Sequence, residues 1–421
     1  MTLYGQKDLM IRLYWRYSFG FSLPKCCVAC LVLYTSRMID FLMLRYWTAG
    51  ESHGPALTAL VDGFPAGLPV DNDVIDSELQ RRQGGYGRGG RQRIETDTVT
   101  FLSGLWKGKT LGSPLTLQVI NRDAKIERMD DIERPRPGHA DLPGAIKHLG
   151  GVRPVLERAS ARETAARVAA GALARQLLTL FGIEVAGWVT ELGGVVLGGR
   201  EGDLPELRKI RNSSEVYSLH PEQDDDIKKL IDRIGKDGDT LGGVVEVRVD
   251  GLPIGLGTHA QWDRKLDGQL AQAVMAIQAI KGVEIGMGFE AARRPGSEVH
   301  DPIHYEESAR SGPTLGFVRP TNNAGGLEAG ITNGQPLVIR AAMKPISTLR
   351  KPLGSINLRT KESESAAYER SDVCAVSACS VIVENVVAFS VAAALIDKFG
   401  GDSIEEMQAR WKLFQQLVAS R

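Results

Sequence analysis

Arginine and glycine crowd the segment RRQGGYGRGGRQR, which runs from Arg81 to Arg93 and holds five arginines, five glycines and no acidic residue. Guanidinium groups bind phosphates and carboxylates through paired hydrogen bonds, and glycine lets the main chain approach such a ligand closely. Three interpretations stay open from these residues alone. The arginines are solvated loop charges, or residues 81–93 bind single-stranded RNA, or a closed loop surrounds a small polyanionic substrate.

Two histidines occupy stiff loops that suit proton transfer. His53 lies in GESHGP, and His139 follows two prolines and a glycine in RPRPGHADLPG. A histidine held in a rigid loop can give or take a proton near neutral pH. Each ring could instead be structural, with Asp123, Asp141 or a carbonyl as its hydrogen-bond partner.

Two further segments could form anion-binding sites. ERASARET places Arg158, Ser160 and Arg162 at a predicted helix start, where free backbone N–H groups and the helix dipole favour negative charge. In AAMKPISTLRKPLGS a proline fixes the backbone beside three polar side chains. These are Lys344, Ser347 and Thr348.

A carboxylate near the C-terminus has two interpretations. ERSDVCAV sets Arg370 and Asp372 directly before an apolar helix. Asp372 is either a functional carboxylate or the N-cap of that helix, a position where aspartate is common.

Two nucleotide-binding motifs are excluded by their context. The glycines from Gly85 to Gly90 satisfy G-x-G-x-x-G, but a dinucleotide fingerprint needs a strand before them and a helix after them. Here DVIDSELQRRQ predicts a helix before the glycines, and RIETDTVTFL predicts a strand after them. GLWKGKT, from Gly104, is one residue short of a P-loop, and no helix pattern follows it.

The elements that must position these residues alternate short strands with helices, and no repeat or low-complexity linker divides them. Strands are predicted in TDTVTFLSG and GGVVEVRVDG, and a helix over 158–181 with Ser160 and Glu163 as its capping box. Two more helices, near 266–280 and 376–387, are apolar almost all round, which predicts that both lie centrally. We expect one intertwined domain of mixed helix and strand.

Composition limits the class of protein. Lys and Arg together number 51, as do Asp and Glu, so no overall positive field exists to hold a nucleic acid. Five cysteines, at 26, 27, 30, 374 and 379, are an odd number for a disulfide framework, which predicts a reducing compartment, the cytoplasm. No segment predicts a membrane span, and CCVAC lacks the further ligands that a metal site needs.

Residues 1–42 differ from the rest because they are rich in aromatic residues and lack periodicity. We interpret them as an extension outside the fold, with Met43 as an alternative start, and a targeting leader is the second interpretation. Residues 43–421 are predicted to form a single catalytic domain.

Eight segments together resemble the chorismate synthase family, in order and without a large gap, from about Met43 to about Gly400. They are GESHGP, RRQGGYGRGGR, RPGHADLPG, SARETAARVAAGA, QWDRKLDGQLAQAVMAIQAIKGVEIG, TNNAGGLEAGITNG, MKPIST and ERSDVCAV. The resemblance implies an α+β fold, a sandwich with central helices between antiparallel β-sheets, assembled as a homotetramer.

The resemblance also implies the reaction, which is conversion of 5-enolpyruvylshikimate 3-phosphate to chorismate by 1,4-anti elimination of phosphate. This is a carbon–oxygen lyase step of the shikimate pathway toward aromatic amino acids. The family requires reduced FMN, although the reaction has no net redox change. NADPH is the candidate reductant of the flavin, used by the enzyme itself or by an external flavin reductase. The substrate carries one phosphate and two carboxylates, which the arginines would neutralise.

Residue by residue, the resemblance implies three catalytic groups and two binding sets, with no metal. His53 corresponds to the acid that protonates the departing phosphate, and His139 to the residue that protonates reduced flavin. Asp372 corresponds to the carboxylate that removes the C6 proton together with flavin N5. The substrate-binding positions correspond to Arg82, Arg88, Arg91, Arg136, Arg162 and Arg370. The flavin-binding positions correspond to Arg158, Ala159, Ser160, Gln278, Ala279, Ala329, Lys344, Pro345, Ile346, Ser347, Thr348 and Arg370.

Two positions depart from the family pattern. Ala159 stands where serine is common, and Ala329 stands where glycine is usual. If the main chain takes a positive φ at Ala329, the alanine is strained there, which makes its flavin contact the weakest of the transferred roles.

Overall fold

The computed structural model describes residues 44–90, 94–369, 372–419 and 421. The predictions for residues 1–42, Arg91 and Arg370 lie outside these ranges. The helices of the described residues are α1 (Asn72–Gln83), α2 (Asp141–His148), α3 (Val152–Ala159), α4 (Thr164–Thr179), α5 (Leu204–Ser213), α6 (Asp224–Lys236), α7 (Leu266–Met275), α8 (Gly296–Val299), α9 (Val376–Phe399) and α10 (Ile404–Val418).

Strands alternate with these helices along the chain. They are β1 (Arg45–Ala49), β2 (Ala56–Asp62), β3 (Val99–Ser103), β4 (Leu105–Trp106), β5 (Lys109–Thr110), β6 (Leu115–Ile120), β7 (Glu184–Leu192), β8 (Val195–Val196), β9 (Gly243–Asp250), β10 (Ile280–Ile285), β11 (His304–Tyr305), β12 (Phe317–Val318), β13 (Leu327–Glu328), β14 (Ile331–Thr332), β15 (Leu337–Met343), β16 (Gly354–Ile356) and β17 (Ser363–Ser365). α1 precedes the glycines of residues 84–90 and β3 follows them, which confirms the order that excludes a dinucleotide fingerprint.

The first large sheet contains four antiparallel strands in the order β1–β2–β6–β3. β2 lies inside this sheet, and its Ala59 pairs with Leu117 of β6. Side chains alternate between the two faces of a strand, so Leu57, Ala59 and Val61 are buried while Leu60 is exposed. One face of the sheet therefore packs on the protein interior.

The second large sheet contains five antiparallel strands in the order β10–β15–β9–β7–β8. The predicted strand GGVVEVRVDG is β9, the middle strand of the five. Val245, Val247 and Val249 are fully buried, which confirms the predicted alternation. This sheet also turns one face toward the interior.

Central helices fill the space between the two sheets. α9 packs against α4 and against β7 and β9, while α4 packs against β2 and β6 of the first sheet. The two helices approach most closely at Gly171, where a Cβ atom would lie 2.2 Å from the carbonyl oxygen of Asn385. By length and composition α9 could cross a membrane, but 83% of its most apolar window is buried, as in a core helix. The predicted α+β sandwich is confirmed.

A buried ion cluster interrupts this apolar interior. Glu384 of α9 is fully buried and contacts arginines of three other helices. Its carboxylate oxygens lie 2.9 Å from Arg81 of α1, 3.1 Å from Arg175 of α4 and 3.0 Å from Arg211 of α5. Glu78 contacts Arg81 and Arg175 as well. Burial raises the pKa of Glu384, but the three arginines lower it by more, so this carboxyl is ionised.

The helix predicted over 158–181 is broken at Ser160. Ser160 has an extended backbone with ψ of 141°, which ends α3. Its Oγ accepts a hydrogen bond of 3.3 Å from the backbone N–H of Arg162, while the carboxylate of Glu163 faces Arg167 and Gln278. The predicted capping box is therefore wrong, because serine offers the backbone a local hydrogen bond that competes with a continuous helix.

The helix predicted near 266–280 is also shorter than its pattern. It ends at Met275, because Ala279 takes a φ of 69° and Ile280 begins β10. Ile277 and Ile280 fit the helical spacing of apolar residues although they lie beyond the end of the helix, because both are buried in the core. The early end releases Gln278 and Ala279 from helical structure.

Candidate active site

His53 is fixed in the loop between β1 and β2. Its backbone N–H donates to Glu157 Oε2 at 2.7 Å, and its ring Nδ1 lies 3.0 Å from both oxygens of the same carboxylate. Its carbonyl accepts hydrogen bonds from the backbone N–H groups of Lys125 and Ile126. The other ring nitrogen, Nε2, lies 3.7 Å from Asp123, too far for a hydrogen bond. Among the described residues, the ring is therefore hydrogen-bonded through Nδ1, with the Asp123 carboxylate near Nε2.

The break at Ser160 lies against this loop. The Ser160 hydroxyl donates to Ser52 Oγ at 3.2 Å. Arg158, at the end of α3, donates to the carbonyl oxygens of Thr48 and Gly50. The structure thus brings three predicted residues, His53, Arg158 and Ser160, around one loop.

A pair of buried arginines lies behind the same loop. Arg82 of α1 donates to Asp97 at 2.9 Å, and Arg162 donates to both oxygens of Asp97 at 2.8 and 2.6 Å. Arg162 also donates to Asn121, whose amide donates to the carbonyl oxygens of Glu51 and Gly54 in the His53 loop. Nε of Arg82 and Nη2 of Arg162 are buried and make no hydrogen bond within the described residues.

Burial and neighbouring charges shift the pKa values of Arg82 and Asp97. Burial lowers the pKa of Arg82 to about 10, with Arg162 and Arg88 acting in the same direction against Asp97. Burial raises the pKa of Asp97, yet the two arginines bound to it keep that pKa below its ordinary value. Glu95 lies 3.7 Å from Arg162 Nη2, so the two arginines are balanced by two buried carboxylates.

Arg88 and Asp372 form a second part of the site. Asp372 lies 2.9 Å from Arg88 Nη1 and accepts a hydrogen bond of 2.6 Å from the backbone N–H of Gly89. The N-cap of α9 is Ala375, so the interpretation of Asp372 as an N-cap is wrong. The carbonyl oxygen of Gly87 accepts hydrogen bonds from the backbone N–H groups of Val373 and Cys374. Gly87 has a φ of 85°, and a Cβ atom there would lie 3.0 Å from Cys374 Cβ.

The placement of these arginines decides between the interpretations of segment 81–93. The side chains of Arg82 and Arg88 are 5% and 9% exposed, so they are not solvated loop charges. Both guanidinium groups point inward and pair with carboxylates, which leaves no basic strip at these two positions for a single-stranded nucleic acid.

His139 belongs to a third cluster, at the start of α2. Its Nδ1 hydrogen-bonds to Asp141, which is fully buried. Asp141 also accepts from Arg136 Nε at 2.8 Å, and Arg136 donates from Nη1 to Thr348 Oγ1 at 2.8 Å. Burial raises the pKa of Asp141, but the hydrogen bonds from His139 and Arg136 lower it well below its usual range. Lys344 Nζ hydrogen-bonds to the carbonyl oxygen of Gly138.

Backbone contacts join the second and third clusters. Thr240 Oγ1 donates to the carbonyl oxygen of Ile346, and the next residue, Leu241, donates its N–H to the carbonyl oxygen of Val373. Residues 240 and 241 therefore connect the segment 344–348 to Val373, the neighbour of Asp372. Burial, with the neighbouring charge of Lys281, lowers the pKa of Lys344.

Gln278 and Ala329 have different surroundings. Gln278 Nε2 donates to Glu163 at 3.0 Å, but its Oε1 is buried and makes no hydrogen bond within the described ranges. Ala329 is exposed in the two-residue turn between β13 and β14, with φ of 51°. The left-handed φ confirms that the main chain is strained for an alanine at this position, and the flavin contact of Ala329 stays a prediction.

Four polar residues of the site were missed by the sequence motifs. Their positions are Glu95, Asp97, Asn121 and Glu157, and each binds a predicted histidine or arginine or lies close to one. Glu157 directly precedes Arg158 in ERASARET, and Glu95 and Asp97 flank Thr96 in RIETD. An acidic residue beside a cationic motif was the available signal. For metals, the described part of the chain holds no group of three or more His, Cys, Asp or Glu side chains able to bind one, and CCVAC lies outside that part.

Known proteins resemble this chain along most of its length. The family model for chorismate synthase matches residues 44–396. The chorismate synthase of Geobacter metallireducens is 56% identical over 383 residues, which cover 88% of this chain and 98% of the relative. That of Desulforamulus reducens is 53% identical over 390 residues, which cover 89% and 99%.

A solved structure agrees with these matches. A crystal structure of chorismate synthase superposes with a TM-score of 0.72 at 42% identity, covering 90% of this chain and 99% of that chain. The matched range includes the segments that carry His53, His139 and Asp372. The chain belongs to the chorismate synthase family.

Proposed function

We propose that the three clusters form one active site for the reaction of the family, with His53, His139 and Asp372 as its catalytic groups. The reaction is the elimination of phosphate from 5-enolpyruvylshikimate 3-phosphate to give chorismate, a carbon–oxygen lyase step of the shikimate pathway that supplies aromatic amino acids. The observation that supports the assignment of the site is that three predicted arginines, Arg82, Arg88 and Arg162, are each buried with a guanidinium nitrogen that makes no hydrogen bond within the described residues. Other buried arginines also carry such nitrogens, but these three pair with Asp97 and Asp372 beside the proposed catalytic groups.

Substrate binding follows from these nitrogens. An unpaired buried donor costs about 1–3 kcal/mol, so a site tolerates it where a ligand supplies the acceptor. The substrate offers one phosphate and two carboxylates, and Arg82, Arg88, Arg136 and Arg162 offer planar donor forks. Arg91 and Arg370 are proposed to complete this set from outside the described residues.

Two proton transfers are assigned to the chain's own residues. His53 gives a proton to the phosphate oxygen as the C–O bond breaks, because its ring is fixed by Glu157 while Nε2 makes no hydrogen bond to the described residues and has Asp123 3.7 Å away. Asp372 accepts the C6 proton as a carboxylate, and Arg88 and the Gly89 N–H orient it. The substrate loses one phosphate and one proton, so the elimination balances without a net oxidant.

The residues assigned to reduced FMN fit such a group. Gln278 Oε1 is a buried acceptor that makes no hydrogen bond to the part of the chain that the structure describes, and the isoalloxazine edge carries N–H donors. Arg158 and Lys344 supply positive charge, and Ser160, Ser347 and the backbone of 344–348 supply hydrogen-bonding groups. When bound, reduced FMN would supply electron density to the allylic system, and His139 would protonate the reduced flavin.

Assembly and location belong to the same proposal. We expect a homotetramer in the cytoplasm, with large exposed side chains such as Trp262 and Phe289, 78% and 69% exposed, at subunit contacts. Reduced flavin comes either from the enzyme's own use of NADPH or from an external flavin reductase.

An anaerobic assay tests the proposal. The purified chain is incubated with 5-enolpyruvylshikimate 3-phosphate and chemically reduced FMN, and chorismate formation is followed. We expect chorismate with reduced FMN and none without flavin. Repeating the assay with oxidised FMN and NADPH separates the two routes of flavin supply. Absence of chorismate with reduced FMN would contradict the proposed function.

A further inference from the structure

Both proposed catalytic histidines are held in the same way, by a buried carboxylate at Nδ1. From this repeated geometry we infer that Glu157 and Asp141 are positioning residues, which keep a hydrogen on Nδ1 of His53 and His139 and leave Nε2 as the nitrogen that exchanges protons. The inference rests on the catalytic roles proposed for the two histidines.

Glu157 controls both the main chain and the ring of His53. One carboxylate accepts the backbone N–H of His53 at 2.7 Å and contacts ring Nδ1 at 3.0 Å through each of its oxygens. The carbonyl oxygen of Glu157 accepts the N–H of Ser52 at 2.9 Å. Three contacts from one residue leave the His53 loop little freedom.

The Glu157 side chain is itself immobilised. It is completely buried, and Arg153, one helical turn earlier on α3, lies 3.6 Å from Oε1. Burial raises the pKa of Glu157, but the hydrogen bonds from His53 lower it below its ordinary value, so the group is a carboxylate at neutral pH. A carboxylate only accepts hydrogen bonds, and the hydrogen between it and the ring therefore belongs to Nδ1.

Asp141 repeats this arrangement in the third cluster. It is fully buried, its Oδ1 contacts Nδ1 of His139, and its Oδ2 accepts from Arg136 Nε at 2.8 Å and from the Arg136 N–H at 3.0 Å. The hydrogen bonds from His139 and Arg136 keep Asp141 ionised, so Nδ1 of His139 is again the donor. Arg136 Nη2 lies 3.0 Å from the same Nδ1, and because a guanidinium can only donate, its hydrogen goes to Asp141 Oδ1 at 3.1 Å. One carboxylate thus orients a proposed catalytic ring and a proposed substrate-binding arginine together.

The two carboxylates determine which ring nitrogen of each histidine exchanges protons. A neutral imidazole carries its hydrogen on one nitrogen, and a fixed carboxylate at Nδ1 selects that tautomer and the ring orientation. Nε2 then carries the lone pair of the neutral ring and the exchangeable proton of the charged ring. Without the carboxylate, the ring would occupy the other tautomer and other rotamers for part of the time.

The first measurement uses the unaltered protein. Histidine labelled with nitrogen-15 reports the tautomer of each ring by NMR, and spectra of His53→Ala and His139→Ala assign the two signals. At alkaline pH, where the rings are neutral, we expect the hydrogen of both rings on Nδ1. A neutral ring with its hydrogen on Nε2 would overturn the inference for that residue, whatever the activity of the enzyme.

The second measurement is a double-mutant cycle with Glu157→Gln and His53→Ala. We expect Glu157→Gln to lower kcat about 10- to 100-fold while KM for the substrate stays within about twofold. In the His53→Ala background the same change should lower kcat no further, since the carboxylate acts through the ring. An equal loss in both backgrounds, or unchanged kcat in Glu157→Gln, would overturn the inference.

Matched variants separate the possible failures. His220 and Glu222 form the same Nδ1-to-carboxylate pair at 3.0 Å on the surface, so Glu222→Gln should leave turnover unchanged. Asp141→Asn should lower kcat only when His139 is present, and should raise KM in both backgrounds because Arg136 is also released. Wild-type turnover in His53→Ala or His139→Ala would contradict the proposed function, because the histidine would then have no catalytic role for the carboxylate to support.

Discussion

Arg82, Arg88 and Arg162 each bury a guanidinium group with a nitrogen that no described residue satisfies. At the scale of the residue, such groups cost stability in the free protein and are useful only when a ligand arrives. The carboxylates of Asp97 and Asp372 offset part of this cost and leave the remaining donors in place. The unliganded site is therefore prepared for negative charge.

The Arg88→Ala variant tests whether this arginine binds the anionic substrate. The loss of a charge-assisted hydrogen bond is worth about 1.5–3 kcal/mol, so KM for the substrate should rise about 10- to 100-fold at saturating reduced FMN. Arg359, which is 78% exposed and pairs with Glu133, is the matched control, and Arg359→Ala should leave KM unchanged. Equal KM values for the Arg88→Ala variant and the unaltered enzyme would remove Arg88 from the site.

Ala329 gives a prediction about stability. Its φ of 51° lies in the left-handed region, which costs an L-residue other than glycine about 1–2 kcal/mol, whereas glycine pays about 0.5–1 kcal/mol in chain entropy. Ala329→Gly should therefore raise the free energy of unfolding by roughly 0.5–1 kcal/mol in urea. Ala329→Val should lower it, because a branched side chain is worse in that region. A less stable glycine variant would contradict the strain.

At the scale of the element, α9 combines an apolar surface with one ionised group in its interior. Glu384 binds arginines of α1, α4 and α5 and accepts the backbone N–H of Gly187 in β7. A buried ion cluster of this kind contributes little net stability compared with apolar packing, but removing one member leaves the other buried charges without a counter-charge. The cluster therefore fixes how four helices and β7 meet.

Glu384→Gln should lower the free energy of unfolding by about 3–5 kcal/mol, because three buried arginines would lose their shared counter-charge. Asp397, on the same helix, pairs with Arg264 at the surface, so Asp397→Asn should change stability by less than about 1 kcal/mol. Thermal and urea unfolding of both variants provide the measurement. Similar losses in the two variants would mean that burial of the pair is irrelevant.

The same cluster predicts how stability depends on pH. The folded pKa of Glu384 lies below its ordinary value of 4.5, so its stabilisation is fully present above about pH 4.5 and is lost as the pH falls toward the folded pKa. Unfolding midpoints of the unaltered chain should thus decrease on acidification, and Glu384→Gln should decrease less steeply. Parallel pH profiles would contradict this origin.

Elements with a strong period could be predicted from the sequence, and their ends could not. Alternation in β9 and apolar spacing in α9 are properties of the segments themselves. The end of α3 at Ser160 and the end of α7 at Met275 depend on tertiary contacts, with Ser52 in one case and with β15 in the other. Local patterns hold no information about such partners.

At the scale of the whole molecule, the same limit applies to the site. The charged residues could be predicted because glycine, proline and arginine mark functional loops. Asp141, two residues from His139, could be named as a partner from the sequence. Distant partners could not be predicted, since Glu157 is 104 residues from His53, and Thr348 is 212 residues from Arg136. Only the sandwich of two sheets around the central helices brings these pairs together.

The domain boundary is testable at this scale. The family match begins at residue 44, and the described residues from Leu44 to Arg421 form one compact unit. A chain that starts at Met43 should keep its melting temperature within about 2 °C and its turnover within about twofold. A large loss of either property would show that residues 1–42 contribute to the catalytic domain.

Arg81 and Arg82 connect the interior ion cluster to the proposed substrate site. Consecutive helical residues project about 100° apart, so the last turn of α1 turns one guanidinium toward Glu384 and the next toward Asp97. Rotating this turn to suit a new compound would break the interior contacts. Inhibitors of this enzyme should therefore be designed to match a rigid template at Arg82, and compounds that need an induced rearrangement there will bind poorly.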